Sequence, residues 1–367
     1  MKWVTILLAV GIVACSKGTT SPGDPEGPVV GWRSAGLVAQ NGGQDSSRFD
    51  WINAIGNELF VLNLRGELFT SSQGTATWNR VSVPGAITLR CMASDKQRLY
   101  LGSASSGVVL TYDPARSEWD SIVLHGRDTI SVEAIGMWSG DLVVYLLPAN
   151  LYSEAARGKW VIQRLSTSTQ LQETIGDGWP ANYPTIHSFI EHDRFLYAAT
   201  YENGLWKRGL HDSIWTETTR PLDTVTRNRL KMPRGLAVHH DSLWMGQLAA
   251  SIYRTKDGAS WTEVDNCPIT TTCFDAPYSA FALLSYRDRL FAAGQGTASP
   301  VEWDPDSSKW VPILNETWCR TVNGKSECGG SNTWDLAAIG DTLYACGNAR
   351  IMKMPLSDLP KRGRWNP

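Results

Sequence analysis

The feature that most constrains the fold is an internal repeat. One unit recurs seven times along the 367-residue chain: an apolar strand pattern, a tight polar turn, a strand opening on leucine, a third short strand, a second turn and a strand carrying tryptophan. The leucines are Leu59, Leu99, Leu142, Leu196, Leu243, Leu290 and Leu343. The turns before them include Ile55–Glu58, Glu191–Arg194 and Tyr286–Arg289, and the tryptophans after the third strands are Trp78, Trp119, Trp160, Trp215, Trp261 and Trp310. Units of four short strands, spaced roughly 40 to 55 residues apart, predict an all-β, seven-bladed β-propeller of four-stranded antiparallel blades. Large all-β folds of this length stay one domain. A tryptophan at a fixed place in each repeat is expected to fill the space between blades.

The seventh unit ends at Arg350–Met354 without a clear fourth strand. The segment Gly31-Trp32-Arg33-Ser34-Ala35 has that strand's pattern and no blade of its own, so an N-terminal strand is expected to complete the last blade and close the ring. Trp365 is the rival candidate.

Short motifs carry resemblances within this architecture. Thr255-Lys256-Asp257-Gly258-Ala259-Ser260-Trp261 resembles an Asp-box, the hairpin motif of sialidase-like propellers, and Ser71–Trp78 resembles it with Gln73 in place of the aspartate. Tyr112-Asp113-Pro114 to Trp119, and Trp303-Asp304-Pro305 to Trp310, are similar to kelch hairpins without the kelch Gly-Gly doublet. In sialidase-like propellers the Asp-box lies on the face opposite the active site, so the resemblance implies structure and no catalysis.

The first residues read as targeting signal. Met1-Lys2 is a positive start, and Trp3–Val13 is an apolar run of 11 residues, shorter than the roughly 20 that span a bilayer and suited to a signal peptide. Ile12-Val13-Ala14-Cys15 resembles a bacterial lipobox. The resemblance implies cleavage before Cys15, lipidation of Cys15 and stable anchoring by several acyl chains. Ser16 in place of an aspartate then points to the outer membrane or cell surface. The expected organisation is a signal peptide over 1–14, a Pro/Gly-rich tether over 15–29 and a single propeller domain over 30–367.

With Cys15 lipidated, six of the seven cysteines remain for an oxidising compartment. Cys267 with Cys273, and Cys319 with Cys328, lie close together in polar loops and are expected as two local disulfides. Cys91 and Cys346 lie in apolar strand patterns and are expected free and buried. No pair has the close spacing of a zinc site, and no metal or cofactor is expected.

The connections entering each innermost strand lengthen in the second half of the chain, over Gln163–Pro184, Thr216–Pro233, Thr262–Pro277 and Val311–Ser331. Long connections stapled by disulfides suggest a binding surface. Trp179, Tyr183, Tyr278, Trp318 and Arg320 lie in or beside them and suit sugar or peptide contacts. Nine residues before the seven repeat leucines stand Asp50, Arg90, Glu133, His187, Arg234, Phe281 and Trp334. This register predicts a ring of two acids, two arginines, a histidine and two aromatics around the channel mouth, either paired within itself or open to a polar ligand.

Lys+Arg number 34 and Asp+Glu 36, for a net charge of -2, which argues against a nucleic-acid partner. His239-His240-Asp241 falls in a strand-to-strand turn on the opposite face and reads as turn chemistry. Gly294-Gln295-Gly296 precedes no helix, so it is no dinucleotide fingerprint. The expected function is a non-enzymatic binding or scaffold module for a glycan, peptide or partner protein of the envelope. The alternative is a sialidase-like glycoside hydrolase or lyase. It would need paired carboxylates, for which only Asp50 and Glu133 are in the ring, and an arginine triad, of which only Arg90 and Arg234 are present.

Overall fold

The second strand of every blade begins at a repeat leucine or within one or two residues of it, and all seven leucines are at most 1% exposed. The computed structural model describes residues 32–38, 48–73, 75, 77–124, 130–148, 161–166, 172–176, 179, 185–201, 203–218, 232–247, 252–264, 279–295, 300–313, 319–322, 325–328, 333–347 and 350–359. The signal, lipobox and tether segments lie outside these residues.

Seven antiparallel four-stranded sheets follow one another along the chain. Blade 1 runs Phe49–Ile55, Glu58–Asn63, Leu68–Ser72 and Asn79–Arg80, and blade 2 runs Leu89–Ser94, Leu99–Ser103, Val108–Asp113 and Glu118–Val123. Blade 3 comprises Ile130–Trp138, Asp141–Pro148, Val161–Leu165 and Gln172–Thr174, and blade 4 Ile186–His192, Phe195–Thr200, Leu205–Gly209 and Thr216–Glu217. Blade 5 is Pro233–His239, Ser242–Gln247, Ile252–Thr255 and Thr262–Val264, and blade 6 Ser279–Tyr286, Arg289–Gln295, Val301–Asp304 and Lys309–Pro312. A separate hairpin, Cys319–Val322 with Lys325–Cys328, precedes blade 7, whose strands are Thr333–Ile339, Thr342–Gly347 and Arg350–Pro355.

The fourth strand of blade 7 is Arg33–Val38, which pairs antiparallel with Arg350–Pro355, Arg33 opposite Lys353 and Ser34 opposite Met352. The N-terminal strand therefore closes the ring. Trp365 lies outside the described residues. The first strand of each blade touches the first strands of its neighbours all the way round, blade 7 against blade 1 included, so the seven first strands surround the central channel.

Burial follows from this radial stacking. Second strands are covered on both faces by adjacent blades and read as near-continuous apolar runs, such as Leu-Phe-Val-Leu over 59–62. The first strand of blade 5, Pro233–His239, alternates between buried and half-buried positions, as expected where one set of side chains faces the channel. Most fourth strands are more exposed than the second strands, Asn79–Arg80 and Glu118–Val123 being examples.

That gradient corrects the expectation for the repeat tryptophans. Trp215 and Trp310 are 2% and 0% exposed, but Trp78, Trp119 and Trp261 are only half-buried, and Trp160 lies outside the described residues. A fourth-strand ring is covered fully only where further aromatics enclose it. Trp215 has Trp179 edge-on at 5.0 Å, and Trp310 has Trp244 and Trp303 at 6.0 and 5.5 Å.

The expected long connections are also shorter than the sequence suggested. Gln163 belongs to a third strand, and fourth strands occupy Gln172–Thr174, Thr216–Glu217 and Thr262–Val264. Pairing to the preceding strand draws these residues into the blades.

Candidate functional site at the channel mouth

Each ring residue stands at an irregularity of its own strand. In blade 1 the pairing register jumps between Phe49 and Trp51, leaving Asp50 as the extra residue. The same break isolates Arg90 between Leu89 and Cys91, Glu133 between Val132 and Ala134 and His187 between Ile186 and Ser188. It recurs at Phe281 between Ala280 and Ala282 and at Trp334 between Thr333 and Asp335. In blade 5 the break spans Arg234 and Gly235. A β-bulge frees one residue from the ladder and re-aims its side chain. Repeated in seven blades, it brings all seven residues onto one cavity of about 850 Å³.

The close approach of the two strands at the bulge also explains Gly294. It pairs with Ala280 beside the break, and a Cβ there would come within 1.5 Å of the Ser279 carbonyl oxygen.

The ring divides into a paired half and an open half. On one side, Arg90 Nε donates to Glu133 Oε2 at 3.0 Å, and Ser131 Oγ donates to Glu133 Oε1 at 2.6 Å. On the other, Asp50 is held by Arg48, whose Nη2 donates to Oδ2 at 2.8 Å while its Nε donates to Oδ1. Arg48 also lies 3.9 Å over the Trp334 ring. Phe281 stacks on Trp334 with centroids 4.8 Å apart and planes 6° from parallel. Phe281 and Arg48 thus both pack against the indole. Arg234 lies alongside the stack, 4.7 Å from the Phe281 ring and 4.9 Å from Trp334. Among the described residues its guanidinium makes no ion pair.

Burial sets the charge states. It pulls the Arg234 guanidinium below its usual range, with Arg48 adding to the effect and Asp50 and Asp335 opposing it. His187 is brought down to about 4 by burial and by the charge of Arg234, and is neutral at pH 7. Asp335 lines the same cavity. Burial lifts its carboxyl to about 7, although the N–H groups of Ile52 and Leu336 donate to it at 3.0 and 2.9 Å.

Of the remaining sequence candidates, Trp179 is corrected. It is 6% exposed and packed among Trp206, Trp215 and Ile175 in the core between blades 3 and 4, so its ring is no ligand platform. The indole of Trp334 is likewise already engaged, by Phe281, Arg48 and Arg234. Tyr183, Tyr278, Trp318, Cys267 and Cys273 lie outside the described residues. Cys91 and Cys346 are free and buried. Cys319 and Cys328 stand directly opposite in their hairpin.

Arg48 and Asp335 escaped the sequence reading. Each sits one or two positions from a ring residue, and only the bulge decides that these neighbours share the cavity. The His239–Asp241 turn lies at the other end of its strand, where His240 Nε2 is 3.3 Å from Asp288 Oδ1 of blade 6. At that same end, Asp257 accepts the N–H groups of Ala259 and Ser260, both at 2.8 Å.

The fold and the bulge-built mouth define this protein as a seven-bladed β-propeller with a polar central cavity. The chain matches no family model and no curated protein. Solved structures resemble it in fold. The extracellular domain of the BT4673 system from B. thetaiotaomicron aligns with a TM-score of 0.62 at 14% identity, covering 89% of this chain and 39% of that one. YCF48 bound to D1 peptide aligns at 0.60 and 11% identity over 90% of this chain and 99% of that one. The WD40 propeller domain of Doa1 aligns at 0.56 and 10% identity over 90% and 100%. This chain thus spans about two fifths of the BT4673 chain, and likenesses at such identities establish the fold alone.

Proposed function

We propose that the protein is a non-enzymatic binding module that receives a glycan, peptide or protein partner at the mouth of its central channel. The observation that carries this reading is the seven-fold bulge. Every blade interrupts its innermost strand at the same register, and every freed side chain faces one cavity. Ladder pairing is given up in seven places, and each break re-aims a side chain toward the channel. Both ring carboxylates are already engaged by arginines, which favours binding over the hydrolase alternative. The peptide seated on the similarly folded YCF48 supports a peptide or protein partner.

The lipobox and tether read from the sequence support a place on the outer membrane or cell surface, with attachment through acyl chains on Cys15. No helix among the described residues is long and apolar enough to cross a membrane. Cys15→Ala is expected to release the protein from membranes or block its maturation, and unchanged membrane partition in that variant rejects lipidation there.

The binding reading is tested by screening the purified protein against glycan and peptide arrays while monitoring for cleavage products. Binding lost on substitution at the ring supports it. Turnover of any member, or binding indifferent to every ring substitution, overturns it.

A further inference from the structure

The open half of the mouth presents one charged group with its donors uncommitted. Asp50 is occupied by Arg48, and Glu133 by Arg90 and Ser131. Asp335 accepts two backbone N–H groups. Arg234 is enclosed on its apolar side by the Phe281–Trp334 stack and has no ion-pair partner among the described residues. An enclosed guanidinium is costly without a counter-charge. It also presents a planar fork of N–H donors that fits a carboxylate in bidentate fashion.

We propose that the mouth holds a carboxylate-binding subsite in which Arg234 is the donor, the Phe281–Trp334–Arg48 stack fixes its position, and the ligand is an acidic segment of a peptide or protein. The proposal rests on the channel-mouth reading above and names the partner chemistry of that site.

Peptide is favoured over acidic sugar by the aromatics. A pyranose packs its C–H face on an open ring, and the Trp334 ring is already engaged by Phe281, Arg48 and Arg234. A peptide needs only the carboxylate contact and room for a side chain or chain end, which a cavity of about 850 Å³ supplies. The paired half of the ring adds no net charge, so recognition falls on a single negative group. Arg48 holds its own acid and serves as a positioning residue: it clamps the indole that in turn flanks Arg234.

The test is an array of peptides in which each sequence is printed twice, once with Asp and Glu and once with Asn and Gln at the same places. Beside it stand polygalacturonate and its neutral methyl ester. The protein is probed as the full chain, as wild type and as the Arg234→Gln, Arg234→Lys and Arg116→Gln variants. Wild type is expected to bind acidic members at least tenfold tighter than their amide twins. Arg234→Gln should remove that preference, a loss of about ten- to a hundredfold for a charge-assisted pair. Arg234→Lys, which keeps the charge without the fork, should fall between, and Arg116→Gln, an exposed position in the turn before the fourth strand of blade 2 and outside the cavity, should keep the preference.

Equal binding of acid and amide twins overturns the proposal, as does discrimination that survives in Arg234→Gln or an array with no bound member. Binding of polygalacturonate but of no acidic peptide overturns the peptide assignment. If Arg234 proves dispensable while other ring substitutions abolish binding, the carboxylate subsite fails and the channel-mouth module stands. If no ring position matters, both fail. An unchanged melting temperature in Arg234→Lys separates loss of contact from loss of fold.

Discussion

The indole N–H of Trp32 donates to the carbonyl oxygen of Ile313 at 2.7 Å across 281 positions of sequence. Trp32 is fully buried, just ahead of the strand that completes blade 7, and Ile313 follows the last strand of blade 6. One side chain thus ties the ring closure to the neighbouring blade, in a core shared with Phe291, Leu343 and Met352.

Trp32→Ala is therefore expected to destabilise the propeller by about 3–5 kcal/mol, the usual range for removing a buried tryptophan. Trp32→Phe keeps most of the packing and loses the hydrogen bond, for about 1–3 kcal/mol through the unsatisfied carbonyl. Denaturant midpoints measure both. A closure that held without Trp32 would leave the midpoint of the alanine variant within error of wild type.

The tryptophans of the fourth strands should separate by blade. Trp215, whose N–H donates to the Ile175 carbonyl at 2.6 Å, is expected to cost about 3–5 kcal/mol as Trp215→Ala. The half-buried Trp261 should cost clearly less as Trp261→Ala. Equal losses in chemical denaturation would mean that position in the repeat, and not enclosure, sets the contribution.

His187 and Asp335 make opposite demands on pH. The histidine's folded value is depressed from 6.5 to about 4, so its contribution is full above 6.5 and is lost as pH falls toward 4. The folded value of Asp335 is raised from 3.8 to about 7, so its contribution is full below 3.8 and is lost as pH rises toward 7. Between these limits the two slopes offset. His187→Gln should leave a stability that falls with rising pH up to about 7, relative to wild type. Asp335→Asn should leave one that falls with decreasing pH below about 6.5. Urea midpoints between pH 4 and 8 for the three proteins decide, and profiles parallel to wild type in both variants reject the assignment.

The hairpin between blades 6 and 7 sets Cys319 directly opposite Cys328, and facing residues of an antiparallel pair have Cα atoms about 4.5–5.5 Å apart, within disulfide reach. Protein recovered from an oxidising compartment is expected to carry a Cys319–Cys328 bond worth about 2–4 kcal/mol, and the Cys267–Cys273 pairing read from the sequence is tested alongside. Alkylation before reduction, followed by mass spectrometry, should label neither pair. It should label the buried Cys91 and Cys346 only after unfolding. Labelling of Cys319 in the native protein contradicts the bridge.

The spacing of Leu59, Leu99 and their successors was enough to read the blade count and the strand order, while the closing strand stayed open between the segments of Trp32 and Trp365 until the pairing of Arg33–Val38 decided it. Repetition alone carries that information: a four-stranded sheet that cannot cover its own faces must stack on copies of itself. The register nine residues upstream of those leucines also named the seven residues of the mouth, because equivalent positions in equivalent blades occupy equivalent places.

Sequence position could not say which members of that ring would meet. Arg48 captures Asp50 two residues away and covers Trp334 of blade 7, Arg90 captures Glu133 of the next blade, and Arg234 is left beside an aromatic stack. Nor could it separate Trp215 from Trp261, or keep Trp179 out of the ligand surface, since enclosure depends on which neighbouring side chains arrive. Local periodicity is a property of one strand and survives in the sequence. Pairing of charges and covering of ring faces are properties of several strands at once, and only the tertiary structure, through the seven bulges that turn those side chains onto one axis, decided them.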